Sequence, residues 1–230
     1  MCLILIAWRT DAEYPFVVAA NRDEIHARAS AAAAFWNDDR RILGGRDLEA
    51  GGTWLGVTRS GRFAAVTNVR GGQDPNARES RGQLTKRFLE EDVSPREYVE
   101  RLAARGAVHS GFNLLVADAE ELWWHSNRNG APRRLEPGIY GLGNESLDSD
   151  DVTAAKRRFA EARAPAAATE ALHCALAPSR IVNGIYGTRS ASTLVATAGR
   201  LRFSERSFDA QGAELATVHF DLAQSAPGKP

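Results

Sequence analysis

Two short apolar runs open the chain, residues 2–8 and 16–20, separated by a polar stretch that ends at Pro15. Neither run alternates apolar with polar positions, so the pattern predicts two adjacent antiparallel strands buried on both faces. Residues 53–58 and 63–69 flank Arg59-Ser60-Gly61-Arg62, a gap of hairpin size with a glycine where positive φ is wanted. They predict a second strand pair. The alanine run 29–34 reads as loop or as a helical turn. Helices come next: Ser80 with Gln83, and Ser94-Pro95 with Glu97, each set an N-cap hydroxyl three positions ahead of a side chain that reaches back. Pro95 suits a first helical position, and Gly106 closes the second helix. Residues 112–118 and 121–126 predict another hairpin, 139–142 a short strand, and 151–164 with 166–177 a helical pair broken at Pro165. Strands at 193–197, 201–204 and 216–222 close the chain.

Strands, two helices, strands, two helices and strands again is the order of an α+β layered sandwich rather than of alternating βαβ units. No repeat or linker interrupts it, which predicts a single domain over residues 1–222 and a flexible tail at 223–230. At 230 residues and 43% hydrophobic content the chain can close one core. Lys plus Arg equals Asp plus Glu at 29 each, so no net field favours nucleic acid, an anionic membrane or an acidic partner. The apolar opening has no basic n-region and is cut short by Arg9, Thr10 and Asp11, so it reads as a buried strand rather than a signal or a span. The expected location is cytoplasmic. Two cysteines, Cys2 and Cys174, are too few for a disulfide scaffold or a thiolate zinc site and fit a reducing compartment. The histidines at 26, 109, 125, 173 and 219 are scattered without an HExxH pattern, so no protein-built metal site is expected. The absence of CxxCH excludes covalent haem attachment of that type.

Position 2 holds the chemistry with the greatest reach. Cysteine is small enough for the initiator Met1 to be trimmed ahead of it, leaving a thiol and a free α-amine on one residue. An α-amine with a pKa near 8 is partly neutral at physiological pH and accepts the thiol proton without a histidine. The plain alternative is a cysteine packed in a strand. If the first two strands pair, Ala20-Asn21-Arg22-Asp23-Glu24 returns beside Cys2, with Asp23 suited to hold an ammonium and Arg22 to favour a thiolate. Read alone, that cluster is a solvated turn. Asn68 and Asn144 stand at strand ends, where side-chain amides bind oxyanions or merely cap turns. Arg189 lies among small residues in Tyr186-Gly187-Thr188-Arg189-Ser190-Ala191-Ser192 just before a strand, where it can hold a carboxylate or serve an ordinary loop. Trp36, Trp54, Trp123 and Trp124 line an apolar pocket or belong to the core.

Met1-Cys2-Leu3-Ile4, Ala20-Asn21-Arg22-Asp23-Glu24, Gly51-Gly52-Thr53-Trp54-Leu55-Gly56, Ala65-Val66-Thr67-Asn68 and Gly187-Thr188-Arg189-Ser190 occur in this order along nearly the whole chain. Together they resemble the NRDE family, which includes the transport and Golgi organization proteins. That family is similar in turn to the N-terminal cysteine hydrolases, such as the bile-salt and penicillin V amidases. The resemblance implies an αββα four-layer sandwich of the Ntn-hydrolase type. By position it makes Cys2 the nucleophile, Asp23 the amine-orienting aspartate, Asn68 and Asn144 the oxyanion donors and Arg189 the late active-site arginine. Asn21, Trp54 and Ser190 are expected to contact substrate. The amidases carry an arginine where this chain has Ala20, and the nearby cation is Arg22 instead. The expected activity is hydrolysis of a non-peptide amide C–N bond, with no cofactor required. Because the family is linked to intracellular haem trafficking and to acyl-lipid handling, the resemblance also implies an alternative, a non-catalytic carrier holding haem or an acyl lipid in the same cleft.

Overall fold

A computed structural model describes residues 2–105, 108–163 and 169–223. The closing glycine expected at 106, the helix break at Pro165 and the tail from 224 onward lie outside the described residues. The chain forms two compact units. One comprises the segment up to Arg28, Pro137–Gly143 and the chain from Leu147 onward, and the other Ala29–Glu136 with Asn144–Ser146.

The first unit is a six-stranded sheet with helices α3 (Thr153–Ala162) and α4 (Thr169–Leu176). Its strands are β1 (Leu3–Trp8), β2 (Phe16–Ile25), β10 (Gly138–Leu142), β11 (Tyr186–Thr197), β12 (Arg200–Phe208) and β13 (Glu214–Ala223). They run in the order β10-β1-β2-β11-β12-β13, every neighbouring pair antiparallel. Alternate residues Leu3, Leu5 and Ala7 of β1, with Val17 and Ala19 of β2, pack against Phe159, Leu172 and Leu176 of the helices. All six residues of β1 are buried, so both of its faces are covered, as its uninterrupted apolar run requires.

The second unit is a seven-stranded antiparallel sheet in chain order, with helices α1 (Gly82–Glu90) and α2 (Pro95–Ala104). Its strands are β3 (Ser30–Phe35), β4 (Ile42–Asp47), β5 (Leu55–Thr58), β6 (Phe63–Asn68), β7 (Phe112–Ala117), β8 (Leu122–Ser126) and the two-residue β9 (Arg133–Arg134). The expected hairpins are present as β5–β6 and β7–β8. The alanine run is neither loop nor helical turn but strand β3, paired with β4. Its small side chains suit an edge strand, whereas the paired glycines of β4 masked that strand in the sequence.

The two helix starts differ. At α2, Ser94 Oγ accepts from Glu97 N at 3.1 Å with Pro95 in the first turn, as expected. At α1 no side chain caps the helix in this way; the Gln83 amide does not reach back but donates to Ala50 O at 2.6 Å. The neighbouring loop supplies the partners: Thr53 N donates to Gly82 O at 3.2 Å, and the Thr85 hydroxyl donates to Thr53 O. This close approach explains the paired glycines of the loop. Gly51 has φ +71°, and a Cβ on Gly52 would overlap the Gly82 carbonyl. Gly52→Ala is therefore expected to lower stability by about 1–3 kcal/mol, read as a shift in the urea unfolding midpoint.

Candidate active site

The β1–β2 turn fixes what meets Cys2. Asp11 Oδ1 accepts from Glu13 N and Tyr14 N at 2.8 and 3.1 Å, and Arg9 N donates to Pro15 O at 2.6 Å. This turn sets Trp8 opposite Phe16 and, at the far end, Leu3 opposite Asn21. Just beyond the last pair of this register, the half-buried Cys2 meets Asp23. Cys2 Sγ lies 3.4 Å from Asp23 O, to which its S–H donates, and 3.4 Å from Asp23 N, which donates to the sulfur.

Burial first, and the Asp23 charge second, push the Cys2 thiol up to about 11. The Asp23 N–H opposes this, and Arg22 contributes the weakest of the lowering effects. Arg22 also lies 3.6 Å from the Glu24 carboxylate. A thiol in this setting is almost wholly protonated at neutral pH, so it needs a positive charge or a base placed on it before it can attack.

Asp23 is held from the next strand. It is 4% exposed and stands opposite Thr188 of β11. Thr188 Oγ1 accepts from Ile181 N at 2.9 Å, which commits its single hydrogen to Asp23 Oδ1, 2.6 Å away. In the sequence Thr188 is one residue of the Gly187-Thr188-Arg189-Ser190 motif, with no local sign of a role. Only the β2–β11 register, between segments some 160 residues apart, brings it to the carboxylate. Thr188→Val removes the hydroxyl while keeping the shape, and takes one hydrogen-bond partner each from the buried Asp23 carboxylate and from Ile181 N. It is expected to lower stability by about 2 kcal/mol in urea unfolding, with Thr188→Ser restoring most of the loss.

Arg189 is the extra residue of a β-bulge between Thr188 and Ser190. Its Nη1 donates to His26 O at 2.7 Å and to Arg28 O at 3.2 Å, tying down the end of β2. Ser190 stands opposite Arg22 and is buried. Asn21, also expected at the substrate, is fully buried, and its Nδ2 donates to Leu176 O at the end of α4 at 3.3 Å. Tyr186, which opens the Arg189 cluster in the sequence, has its phenol pKa raised by burial and then by the charges of Cys2 and Asp23.

The remaining expected residues belong to the second unit. Asn144 Nδ2 donates to Asn68 O at 2.7 Å, and Asn144 O accepts from Arg70 N at 2.8 Å, so the two asparagines are adjacent. Beside them, buried Asn113 donates to Glu145 O at 2.7 Å. Trp54 is half-buried in the loop before β5, where its carbonyl accepts from Val66 N at 2.8 Å. Among the described residues no cluster of three or more metal-ligating side chains occurs, and no helix is long and apolar enough to cross a membrane.

With its two antiparallel sheets and their helices, the chain has the α+β fold of the N-terminal-nucleophile hydrolases. It matches the N-acylethanolamine-hydrolyzing acid amidase (NAAA) ortholog of Caenorhabditis elegans with a TM-score of 0.60 at 13% identity, over 84% of this chain and 92% of that one. It matches the C2A mutant of the conjugated bile acid hydrolase from Clostridium perfringens with a TM-score of 0.53 at 10% identity, over 100% and 99%. By sequence the chain belongs to the Transport and Golgi organisation 2 (TANGO2) family, whose model matches residues 1–176. The family match thus ends before the Gly187-Thr188-Arg189-Ser190 motif, short of the nearly full-length resemblance read from the motifs.

Among curated relatives, the mouse Transport and Golgi organization 2 homolog is 38% identical over 146 residues, 59% of this chain and 52% of that protein. Transport and Golgi organization protein 2 of Drosophila melanogaster is 33% identical over 163 residues, 63% and 58%. The chain therefore spans about half the length of the curated relatives it matches.

Proposed function

We propose that this protein is an N-terminal cysteine amidohydrolase acting on a non-peptide amide C–N bond. The observation that carries the reading is the position of Cys2 Sγ, 3.4 Å from both backbone polar atoms of Asp23, whose carboxylate is fixed by Thr188 at 2.6 Å. Both solved neighbours are named for hydrolysis, which supports the class of reaction but not the substrate.

Removal of Met1 would place an ammonium on the residue that carries the thiol and beside the Asp23 carboxylate. The ammonium draws the thiol pKa down from about 11, and its neutral form takes the thiol proton. The thiolate then adds to the amide carbonyl, and the amine leaves with a proton returned from the α-ammonium. Water cleaves the resulting thioester, with the same amine as base. Asp23 holds the ammonium in place.

The test is alkylation of Cys2 by iodoacetamide as a function of pH, in a Cys174→Ser background so that one thiol reports. The form with a free Cys2 amine is expected to react with a midpoint below about 9, whereas a form extended by an uncleaved N-terminal tag reacts only as the pH approaches 11. Identical profiles would remove the amine from the mechanism. In parallel, a panel of N-acyl amides should release free amine. No turnover across the panel, with a Soret change on titration with haem, would replace hydrolysis by carriage.

A further inference from the structure

Past Asp23 and Thr188, β2 and β11 share two more rungs, Glu24 opposite Gly187 and Ile25 opposite Tyr186. Side chains alternate along a strand, and the Thr188 hydroxyl meets the Asp23 carboxylate, so Ile25 and Tyr186 stand on the face that carries that carboxylate. Their rung lies two residues beyond Asp23, roughly 7 Å along the strand, and Asp23 is the residue whose backbone touches Cys2 Sγ. The Tyr186 phenol feels the charges of both Cys2 and Asp23, which places it within electrostatic reach of the sulfur.

Large apolar side chains are left in water here. Six are exposed among the described residues, and four of them, Ile25, Val182, Ile185 and Tyr186, belong to this rung and to the loop that leads into it. Ile185 is 75% exposed and Val182 59%.

The loop is tied at both ends. Ile181 N donates to Thr188 Oγ1 at 2.9 Å and Thr188 N donates to Ile181 O at 2.8 Å, so the threonine that fixes the Asp23 carboxylate also fixes the start of the loop. At the other end His26 N donates to Ile185 O at 2.8 Å, and Ile185 N donates to Asn183 Oδ1 at 3.2 Å. Val182 packs over Gly212, where a Cβ would lie 2.7 Å from its Cγ2. Apolar surface held in water in this way marks an interaction site, and its rigidity lowers the cost of binding.

Size and place decide what binds. A stable protein interface takes about 20–30 residues from each partner, whereas this patch offers four side chains, and they adjoin the sulfur. We infer that Ile25, Val182, Ile185 and Tyr186 form a ledge that binds a hydrocarbon arm of the molecule Cys2 attacks, which makes the substrates amides with an extended apolar group rather than small polar ones. The inference rests on Cys2 as the nucleophile and deepens that reading by naming the class of substrate.

Labelling of Cys2 by N-alkylmaleimides, in a Cys174→Ser background, tests it. The thiolate adds across the maleimide double bond, and the alkyl tail probes the ledge. The rate with N-octylmaleimide over that with N-ethylmaleimide, divided by the same ratio for N-acetylcysteine, cancels the intrinsic reactivity of the reagents and of the thiol. A ledge covers one side of the tail, so the quotient is expected to be about ten, well below what full burial of about six methylenes gives. Ile185→Ser should lower it about three-fold, and Ile185→Ser with Tyr186→Ser should bring it to about one. Leu48→Ser, in the second unit, should leave it unchanged. In the unmodified protein the methyl resonances of Ile25, Val182 and Ile185 should move on adding 1-octanol and stay fixed with ethanol, a readout that survives if a variant fails to fold.

A quotient near one in the Cys174→Ser protein, a quotient that persists in the double variant, or unmoved methyl resonances would overturn the inference. Neither readout uses turnover. A protein that hydrolyses no amide yet prefers the octyl reagent loses the hydrolase reading and keeps the ledge, and one that hydrolyses amides with a quotient near one keeps the reading and loses the ledge.

Discussion

Cys2→Ala is expected to remove amide turnover down to the uncatalysed background, a loss of about 10⁴-fold or more, without unfolding the protein. Nucleophile and base are joined on one residue in the proposed mechanism, and no other described residue replaces the sulfur. The structural cost is small because Cys2 is half-buried and, among the described residues, its sulfur makes hydrogen bonds only to the Asp23 backbone, so the unfolding midpoint should change by less than about 1 kcal/mol equivalent. Cys2→Ser should lie near Cys2→Ala in rate, since a hydroxyl is far less acidic than a thiol. Turnover by Cys2→Ala within ten-fold of the unmodified protein would end the proposal.

The largest effect on stability is expected from Phe88→Ala, at about 3–5 kcal/mol. Phe88 is fully buried in α1, on the stripe formed with Leu84, Thr85 and Leu89. Its ring meets Tyr98 of α2 edge-on at 5.2 Å and lies under the Arg62 guanidinium at 4.1 Å. The Arg62 side chain also donates to Phe88 O at 2.9 Å. Removing the ring opens a cavity between α1, α2 and the sheet and takes away the aromatic face that the arginine covers. Phe88→Leu, which fills most of the space, should cost less than half as much in the same urea titration.

What the sequence made legible follows from the range of the interaction. Residues 2–8 and 16–20 read correctly as paired strands because a local polar turn and two apolar runs suffice. The register it implied is the one that sets Leu3 against Asn21 and brings Asp23 to Cys2. Ser94-Pro95-Glu97 was equally legible, since that cap is made within four residues. The start of α1 was not, because the Gln83 amide and the Thr85 hydroxyl find partners in the Ala50–Thr53 loop rather than in their own turn.

The same reasoning separates the parts of the candidate site. Cys2 and Asp23 could be named from position and hairpin pairing. Thr188 could not, because its hydroxyl is recognisable only once β11 lies beside β2 and Ile181 N donates to its oxygen. Arg22, expected to favour the thiolate, lowers the Cys2 pKa and also lies 3.6 Å from the Glu24 carboxylate, and Arg189 donates to the carbonyls of Ile25, His26 and Arg28. The alanine run of β3 and the glycine pair of β4 escaped because strand propensity is weak in both, and their pairing with each other stabilises them.

Intact mass spectrometry of the protein before and after brief exposure to an activated acyl amide, quenched in acid, bears most directly on the claim that residue 2 acts through its own amine. The predicted result is a chain lacking Met1 that gains one acyl group, mapped as a thioester to the peptide beginning at Cys2 and absent from Cys2→Ala. A chain that keeps its methionine, or acylation that persists in Cys2→Ala, would contradict it.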